Sequence, residues 1–295
     1  MSHSHAVGVA SQGTRTRPAR AALFHPLLRS LSRSGRRALR ASSRRALRAL
    51  LDAPLPIQLL VGAVVVLAVW VVLNGAVQVI RKPTEMFFPV SGTLAKAPPE
   101  TWRQYGPLFR KHSTAVITPE LLAALAQVEG AGDPVARTYW RWRPTWNPLE
   151  LYRPASSAVG MYQITNAMFA EAKRYCIHDH VVVEDGPWHD LRSCWFNSLY
   201  FRIIPSHAVE MTAAFLDRRV ANTIAHRRIT AATLLQKQDL AALIHLCGAA
   251  WSDGYARRGF LQTAGQRCGE HDVSSYLVQV HAMRRQFVRL AAAEL

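Results

Sequence analysis

The feature that most constrains this chain is a long uncharged segment near its N-terminus. No charged residue occurs from Ala53 to Ile80, and Leu59–Leu73 is an unbroken apolar run. The 24 residues Ile57–Ile80 suffice, as a helix rising about 1.5 Å per residue, to cross a hydrocarbon core roughly 30 Å thick. The sequence therefore predicts a transmembrane helix over residues 56–80. A cleaved signal peptide and a buried core helix are the alternatives.

The distribution of charge predicts how this helix is oriented. Eleven Arg residues and one acid, Asp52, lie in residues 1–55, so this segment contributes +10 of the formal net charge of +17. Positively charged flanks stay on the cytoplasmic side of a membrane. We therefore expect a basic cytoplasmic tail over residues 1–55 that contacts the inner leaflet of the membrane. Nucleic-acid binding is disfavoured because no recognition fold or aromatic platform accompanies the Arg run.

The remaining residues are predicted to lie outside the inner membrane. Residues 81–112, broken by several prolines, are predicted as a linker or stalk, with a short helix within Thr101–Lys111. Residues 113–295 are predicted as one mainly α periplasmic domain with minimal strand, its best strand being Val181–Val183. The helices expected in this domain are Leu121–Glu129, Asn166–Cys176, Ala208–Ala225, Asp239–Cys247 and Ser274–Ala293. In the last of them, an apolar stripe is predicted to face the core: Tyr276, Val280, Met283 and Phe287.

All four cysteines lie on the predicted outer side, where an oxidising compartment permits disulfides. Proximity along the chain favours the pairs Cys176–Cys194 and Cys247–Cys268, with free thiols as the alternative. Zinc is disfavoured because no Cys-x-x-Cys spacing occurs. The His-rich stretch Cys176–His180 matches no familiar ligand spacing either, so neither a metal nor a cofactor is predicted.

Glu129 is the most informative residue of the outer domain. Thr118 is a suitable N-cap for its helix, Pro119 suits the first helical position, and Gly130 and Gly132 are suited to end it. At about 100° per residue, Glu129 shares an arc with four apolar residues: Leu121, Leu122, Leu125 and Val128. A carboxyl group that faces an apolar wall loses solvation of its charged form, which favours the protonated acid. The alternative is a rim residue whose side chain reaches water.

Two blocks of sequence carry a resemblance to a known family. The segment Leu121–Pro134, which contains Glu129, and the segment Ser157–Thr165 resemble the soluble lytic transglycosylase type of lysozyme-like domain, over roughly residues 115–260. Gly130 stands where the family usually has Ser, Asp133 where Asn is common, and Met161-Tyr162 in place of Leu-Met. The resemblance implies a lysozyme-like fold, a peptidoglycan substrate and Glu129 as the sole catalytic carboxylate.

The second block supplies further candidate site residues. Gly160 is expected to let the backbone approach the glycan closely, and Gln163 to offer an amide donor and acceptor. Tyr162 is a candidate for stacking on a sugar, and Ser157 and Met161 complete the block. Asp133 is expected to brace its turn rather than to take part in catalysis.

Aromatic residues between the two blocks suggest sugar contacts. Trp140 and Trp142 are candidates to stack on sugar faces, with core packing as the alternative. A third family motif is not clearly present, because its nearest match places His245 where the family has Tyr. His245, Trp251 and Tyr255 are therefore the candidates to assist Glu129 or to bind substrate, again with core packing as the alternative.

A single carboxylate suits lytic transglycosylation, in which the muramoyl C6 hydroxyl of the substrate replaces water as the nucleophile. The predicted function is thus a membrane-anchored peptidoglycan lytic transglycosylase that leaves 1,6-anhydro ends. The alternatives are a muramidase on the same fold and an inactive peptidoglycan-binding anchor of an envelope complex. The expected partners are glycan strands, the inner membrane and a recruiting secretion, pilus or division complex.

Overall fold

The computed structural model describes residues 45, 48–190 and 192–294, and this part of the chain is mainly helical. Its helices are α1 (Leu55–Arg81), α2 (Pro98–Lys111), α3 (Pro119–Gly130), α4 (Asn166–Ala172), α5 (Pro205–His226), α6 (Leu234–Cys247), α7 (Ala249–Arg257) and α8 (Val273–Ala292). Its strands form antiparallel pairs: β1 (Trp140–Trp142) with β2 (Tyr152–Pro154), β3 (Tyr175–His178) with β4 (Val181–Glu184), and β5 (Arg267–Cys268) with β6 (His271–Asp272). The mainly helical prediction is confirmed, whereas the lysozyme-like fold stays a prediction. Most of the predicted basic tail lies outside the described residues.

Helix α1 confirms the long apolar helix predicted from the sequence. It has 27 residues, is long and apolar enough to cross a membrane, and its most apolar window is wholly exposed. This exposure argues against a buried core helix. The chain divides into two units between Trp70 and Val71, inside this helix. The hydrophobic core lies within the second unit, residues 71–295.

The residues that follow α1 are held by a buried acid. Pro83–Phe87 forms a 3₁₀ helix, within which Glu85 is buried. Its carboxylate pairs with Lys82 at 2.9 Å and accepts hydrogen bonds from Arg137 Nη1 (2.6 Å) and Trp140 Nε1 (2.8 Å). Burial opposes ionisation of Glu85, but these donors outweigh it and hold its pKa below the ordinary value. The start of the predicted linker is therefore fixed to the domain.

Helix α2 corrects the interpretation of residues 98–111 as linker. Its aromatic residues Trp102, Tyr105 and Phe109 are buried in the main hydrophobic cluster. The prolines suggested a broken chain, yet Pro98 and Pro99 occupy the first positions of α2, where a missing N–H costs nothing. Two consecutive prolines thus start a core helix here rather than prevent one.

Helix α3 lies at the centre of the core and packs against α2 and α8. Thr118 caps its N-terminus by accepting a hydrogen bond from the Leu121 N–H. Six consecutive residues in the middle of the helix are buried on every side: Leu121, Leu122, Ala123, Ala124, Leu125 and Ala126. The helix is therefore surrounded in its middle rather than half-buried along one arc, and its two ends reach the surface.

The predicted helix over Asn166–Cys176 is wrong in its second half. Helix α4 ends at Ala172, and Tyr175–His178 forms the first strand of the β3–β4 hairpin. Asp179 and His180 connect the strands with φ of 48° and 64°, the left-handed conformation that tight hairpin turns require. The predicted strand over Val181–Val183 is confirmed as part of β4.

Both cysteine pairs favoured by the sequence occur in the structure. The Cα atoms of Cys176 and Cys194 are 5.2 Å apart, and those of Cys247 and Cys268 are 5.5 Å apart. The first pair connects β3 to a 3₁₀ helix, Cys194–Leu199. The second ties the β5–β6 hairpin to the C-terminal end of α6, which places that hairpin beside the candidate site described next.

Candidate active site

Glu129 lies at the last turn of α3, with its side chain 17% exposed. The helix ends at Gly130, and Ala131, not a glycine, adopts the left-handed conformation that closes it, with φ of 48°. Gly130 has a different task. A Cβ atom at this position would lie 2.9 Å from the Cα and the carbonyl oxygen of Met161. Absence of a side chain therefore lets the end of α3 approach the second sequence block closely.

Tyr276 is the direct partner of Glu129. Its hydroxyl donates a hydrogen bond of 2.6 Å to Oε1 of Glu129 from the first turn of α8. Burial raises the pKa of Tyr276 well above its ordinary value, and the negative charge of Glu129 raises it further. The phenol therefore remains a neutral donor. No described residue donates a hydrogen bond to Oε2 of Glu129, so this oxygen is left for a ligand.

The sequence interpretation missed this role of Tyr276. It placed the residue in a core stripe, and the ring is indeed buried, at 6% exposure. A buried tyrosine, however, normally has a partner for its hydroxyl, whereas the other members of the stripe are wholly apolar. The hydroxyl group of Tyr276 was therefore the feature of the sequence that could have predicted a polar contact here. The sequence did not indicate which residue the hydroxyl would contact.

Of the three predicted helper residues, His245 alone lies beside Glu129. Its buried ring places Nε2 3.7 Å from Oε1 of Glu129, from the last turn of α6. Its Nδ1 atom has no hydrogen-bond partner among the described residues. Tyr255 is 2% exposed and contacts Phe260 edge-on, so it cannot bind substrate as predicted. Trp251 packs against the core. For both, core packing is the correct interpretation.

Glu129 opens onto a cleft of about 610 Å³. Its lining comes from several segments and includes Arg137, Tyr139, Gln163, His245, Glu270 and Tyr276. A second cavity of about 370 Å³ shares Val128, Glu129 and Arg137 with the first and is also lined by Ser91 and Gly92. Glu129 thus lies at the junction of two cavities. Such an arrangement suits a ligand that extends in both directions from the carboxylate.

Gln163 is the candidate site residue of the second block that lines this cleft, together with Ala158 and Thr165 of the same block. It has φ of 46°, and its Nε2 atom donates to the carbonyls of Gly160 (2.9 Å) and Ala136 (3.2 Å). The amide NH₂ therefore holds two loops together. No described residue donates to its Oε1, so this atom can accept a hydrogen bond from a ligand, such as the N–H of an N-acetyl group.

The other predicted members of the second block serve structure. Met161 and Tyr162 are fully buried, so stacking of Tyr162 on a sugar is ruled out in this structure. Ser157 accepts from the Asn166 N–H, and its neighbour Ser156 lines the cleft instead. Gly160 does make a close backbone approach, but to the Arg202 carbonyl oxygen, which would lie 2.6 Å from an added Cβ.

The aromatic residues of the β1–β2 hairpin are divided in their roles. Trp140 is half-buried, donates to Glu85 and contacts the Tyr152 ring at 5.3 Å. Trp142 is 66% exposed and Trp146 103% exposed, yet neither lines the cleft. From this region, the cleft receives Tyr139 and Arg141 instead. Trp140 is thus a packing residue, and Trp142 does not contact the cleft as predicted.

Two further acids bear on the site. Asp133 is 1% exposed and accepts hydrogen bonds from the N–H groups of Gly92 (2.7 Å) and Val135 (2.8 Å), which agrees with its predicted role in bracing the turn. Glu270, in the β5–β6 turn, lines the cleft and accepts from the Tyr139 hydroxyl at 2.9 Å. Its side chain is 73% exposed. Within the described residues, no cluster of His, Cys, Asp and Glu fit to hold a metal ion occurs.

Comparison with known proteins gave no relative. No protein-family model, no curated protein and no solved structure matches this chain.

Proposed function

We propose that this protein is a membrane-anchored lytic transglycosylase that cleaves the bond between N-acetylmuramic acid and N-acetylglucosamine in peptidoglycan. The observation that carries the proposal is the Glu129 carboxyl group, partly buried at the junction of two cavities and hydrogen-bonded at Oε1 by Tyr276. A single carboxyl group with one oxygen fixed and the other free suits a residue that donates a proton and later takes one back.

In the first step, protonated Glu129 donates its proton to the glycosidic oxygen as the bond from that oxygen to C1 of the muramoyl residue breaks. The N-acetylglucosamine leaving group departs with a hydroxyl, and positive charge develops at C1. Tyr276 stabilises the carboxylate that forms, since its hydroxyl already donates to Oε1. Oε2 is then the atom that carries the proton.

In the second step, the muramoyl C6 hydroxyl attacks C1 and gives its proton to the Glu129 carboxylate. This step forms the 1,6-anhydro ring and returns Glu129 to its protonated form, so water is not consumed. The nucleophile belongs to the substrate, which removes the need for a second carboxylate to position water. Gln163 is suited to orient the sugar through Oε1, and Arg141 to attract stem-peptide carboxylates.

A digest of purified sacculi with the full-length protein tests the proposal. Mass analysis of the products should find 1,6-anhydro ends, which are lighter by one water than the reducing ends left by a hydrolase. Absence of cleavage would overturn the enzymatic proposal and favour a peptidoglycan-binding anchor.

A muramidase is the second candidate, and Glu270 is the observation that favours it. This carboxylate lines the same cleft as Glu129, and hydrolytic glycosidases use two carboxylates. Reducing ends in the digest would support this candidate. Glu270 is exposed and already bonded to Tyr139, which makes it the weaker one.

Helix α1 is, in the same proposal, a single span of the bacterial inner membrane, with the N-terminus cytoplasmic and residues 82–295 periplasmic. Its length and apolarity support the span, and the Arg-rich upstream segment supports the orientation. A C-terminal reporter that is active only in the periplasm should give a signal. A signal from a reporter active only in the cytoplasm would overturn this orientation.

A further inference from the structure

The β1–β2 hairpin is attached to the last turns of α1 by polar side chains. Asn74 Nδ2 donates to the Tyr152 carbonyl and Gln78 Nε2 to the Leu149 carbonyl, both at 2.8 Å. Both amides are nearly inaccessible, at 3% and 4% exposure. One turn further on, Arg81 pairs with Glu150 at 2.6 Å. The hairpin therefore follows the helix over its final eight residues.

The length of α1 indicates the depth of these contacts. A hydrocarbon core of about 30 Å takes about 20 helical residues, so a span that begins near Leu55 leaves the core near Asn74. The residues from Asn74 to Arg81 then cover about 10 Å of the headgroup region. In this region, a buried polar group without a partner is costly, and the NH₂ groups of Asn74 and Gln78 each donate to a carbonyl of the hairpin.

The exposed surface of the hairpin has the chemistry of a membrane interface. Trp142 and Trp146 expose 66% and 103% of their surface, and Arg143 between them is also exposed. Trp and Arg combine an apolar body with a polar end, and Trp in particular is enriched at the headgroup level of membrane proteins. Neither Trp lines the cleft, so the cleft does not explain their exposure.

We propose that the hairpin of residues 140–154 docks on the lipid headgroups of the membrane that α1 spans, with Trp142 and Trp146 as its anchors. This inference depends on the proposed membrane anchoring but not on the proposed catalysis. Three observations support lipid as the occupant: the hydrogen bonds that continue from α1 into the hairpin, the interfacial level of those bonds, and the exposed basic side chain of Arg143. Docking would hold the cleft at a fixed height above the membrane.

The test uses the full-length protein in vesicles of phosphatidylcholine and phosphatidylglycerol, in which the phosphatidylcholine is brominated high on its acyl chains and quenches nearby Trp fluorescence. Subtracting the spectrum of a Trp142→Ser, Trp146→Ser protein from that of the unchanged protein gives the signal of these two residues. We expect brominated lipid to lower this difference signal about two-fold or more relative to unbrominated lipid, as for Trp at the headgroup level.

Trp188 provides a matched control, because it is 71% exposed and lies outside the hairpin. The corresponding difference signal of a Trp188→Ser protein should be unaffected by brominated lipid. Equal quenching at Trp188, or none at Trp142 and Trp146, would overturn the docking proposal. A response of the hairpin signal to soluble peptidoglycan fragments in place of lipid would also overturn it, in favour of a glycan contact.

The fluorescence of Trp70 distinguishes a hairpin that does not dock from a helix α1 that does not span the membrane. Trp70 lies within the most apolar part of α1, about 6 Å along the helix from Asn74, so a Trp70→Phe difference signal should be quenched by lipid brominated midway along its acyl chains. Quenching at Trp70 without quenching at the hairpin would retain the span and reject the docking. No quenching at Trp70 would reject the span itself, and sacculus digestion would still report on catalysis.

Discussion

The two sides of the Glu129 carboxylate are built in different ways. On one side, which we call the motif side, residues 156–165 meet the end of α3 through backbone, as at the approach of Gly130 to Met161. On the other side, which we call the partner side, Tyr276 and His245 bring side chains from α8 and α6 to the carboxylate itself. The motif side fixes where the carboxyl group is, and the partner side determines what its oxygens bond to.

This difference explains why a short sequence motif marks only one side. A backbone approach needs a small residue at a fixed place, and such a residue is visible in the local sequence. A side-chain partner needs only to arrive in space, and Tyr276 lies 147 residues from Glu129 along the chain. Its contribution was therefore hidden among core residues.

The largest effect is expected from Glu129→Gln. This substitution removes the acid that the motif side and the partner side hold in place, and it keeps the shape of the side chain. Loss of general acid and base catalysis should lower the rate of release of soluble fragments from sacculi by about 10²–10⁴-fold. Glu120→Gln is the matched control, because Glu120 lies in the first turn of the same helix and does not line the cleft. Normal activity in a folded Glu129→Gln protein would show that Glu129 is not catalytic. The motif side and the partner side would then have no catalytic role through this residue.

Tyr276→Phe tests the partner side by deleting one hydroxyl group. A hydrogen bond to a charged group contributes about 1.5–3 kcal/mol, so we expect the same release rate to fall by about 10–100-fold. Tyr255→Phe, another buried tyrosine but one that does not line the cleft, should leave the rate unchanged. If the two variants lose activity equally, the contact of Tyr276 with Glu129 has no special role in catalysis.

Gly130→Ala tests the motif side through packing. Alanine usually stabilises a helix relative to glycine, but here its Cβ would press on the Met161 backbone at 2.9 Å. Overpacking of this kind costs about 1–3 kcal/mol, which thermal or urea unfolding should measure.

Gly106→Ala in α2 is the control for that measurement. Its Cβ would meet only the flexible end of Arg110, at 3.4 Å, so the ordinary helix preference should prevail and stability should rise by up to about 1 kcal/mol. The same substitution should thus act with opposite sign at the two glycines. A gain in stability at both would show that the α3 end has room to move away from Met161.

Those features that depend on local pattern were the ones predictable from the sequence. The long apolar helix, the Thr118 cap, the position of Glu129 and both cysteine pairs follow from runs, caps and proximity along the chain. Gln163, which the motif singled out, lines the same cleft as Glu129.

The sequence did not allow us to predict which tyrosine side chains reach the site and which are buried in the core. Tyr162 was expected at the surface and is fully buried, whereas the Tyr276 hydroxyl was expected in the core and reaches the carboxylate. The ring of a tyrosine can be buried in a core, and its hydroxyl can serve in a site. The residue type alone therefore does not show which of the two locations a tyrosine occupies. Only the packing of α8 against α3 does.

The smallest effect is expected from Glu270→Gln, which asks whether the partner side holds a second catalytic carboxylate. Glu270 is 73% exposed, and its bond to Tyr139 is a surface contact, worth about 0–1 kcal/mol. We therefore expect the release rate to change by no more than about 5-fold, with 1,6-anhydro ends retained. Tyr139→Phe breaks the same hydrogen bond and keeps the carboxylate, so it should match Glu270→Gln if only the contact matters. A loss at Glu270→Gln as large as at Glu129→Gln, without a loss at Tyr139→Phe, would instead make Glu270 the second carboxylate of a hydrolase, and the partner side would then supply catalysis as well as positioning.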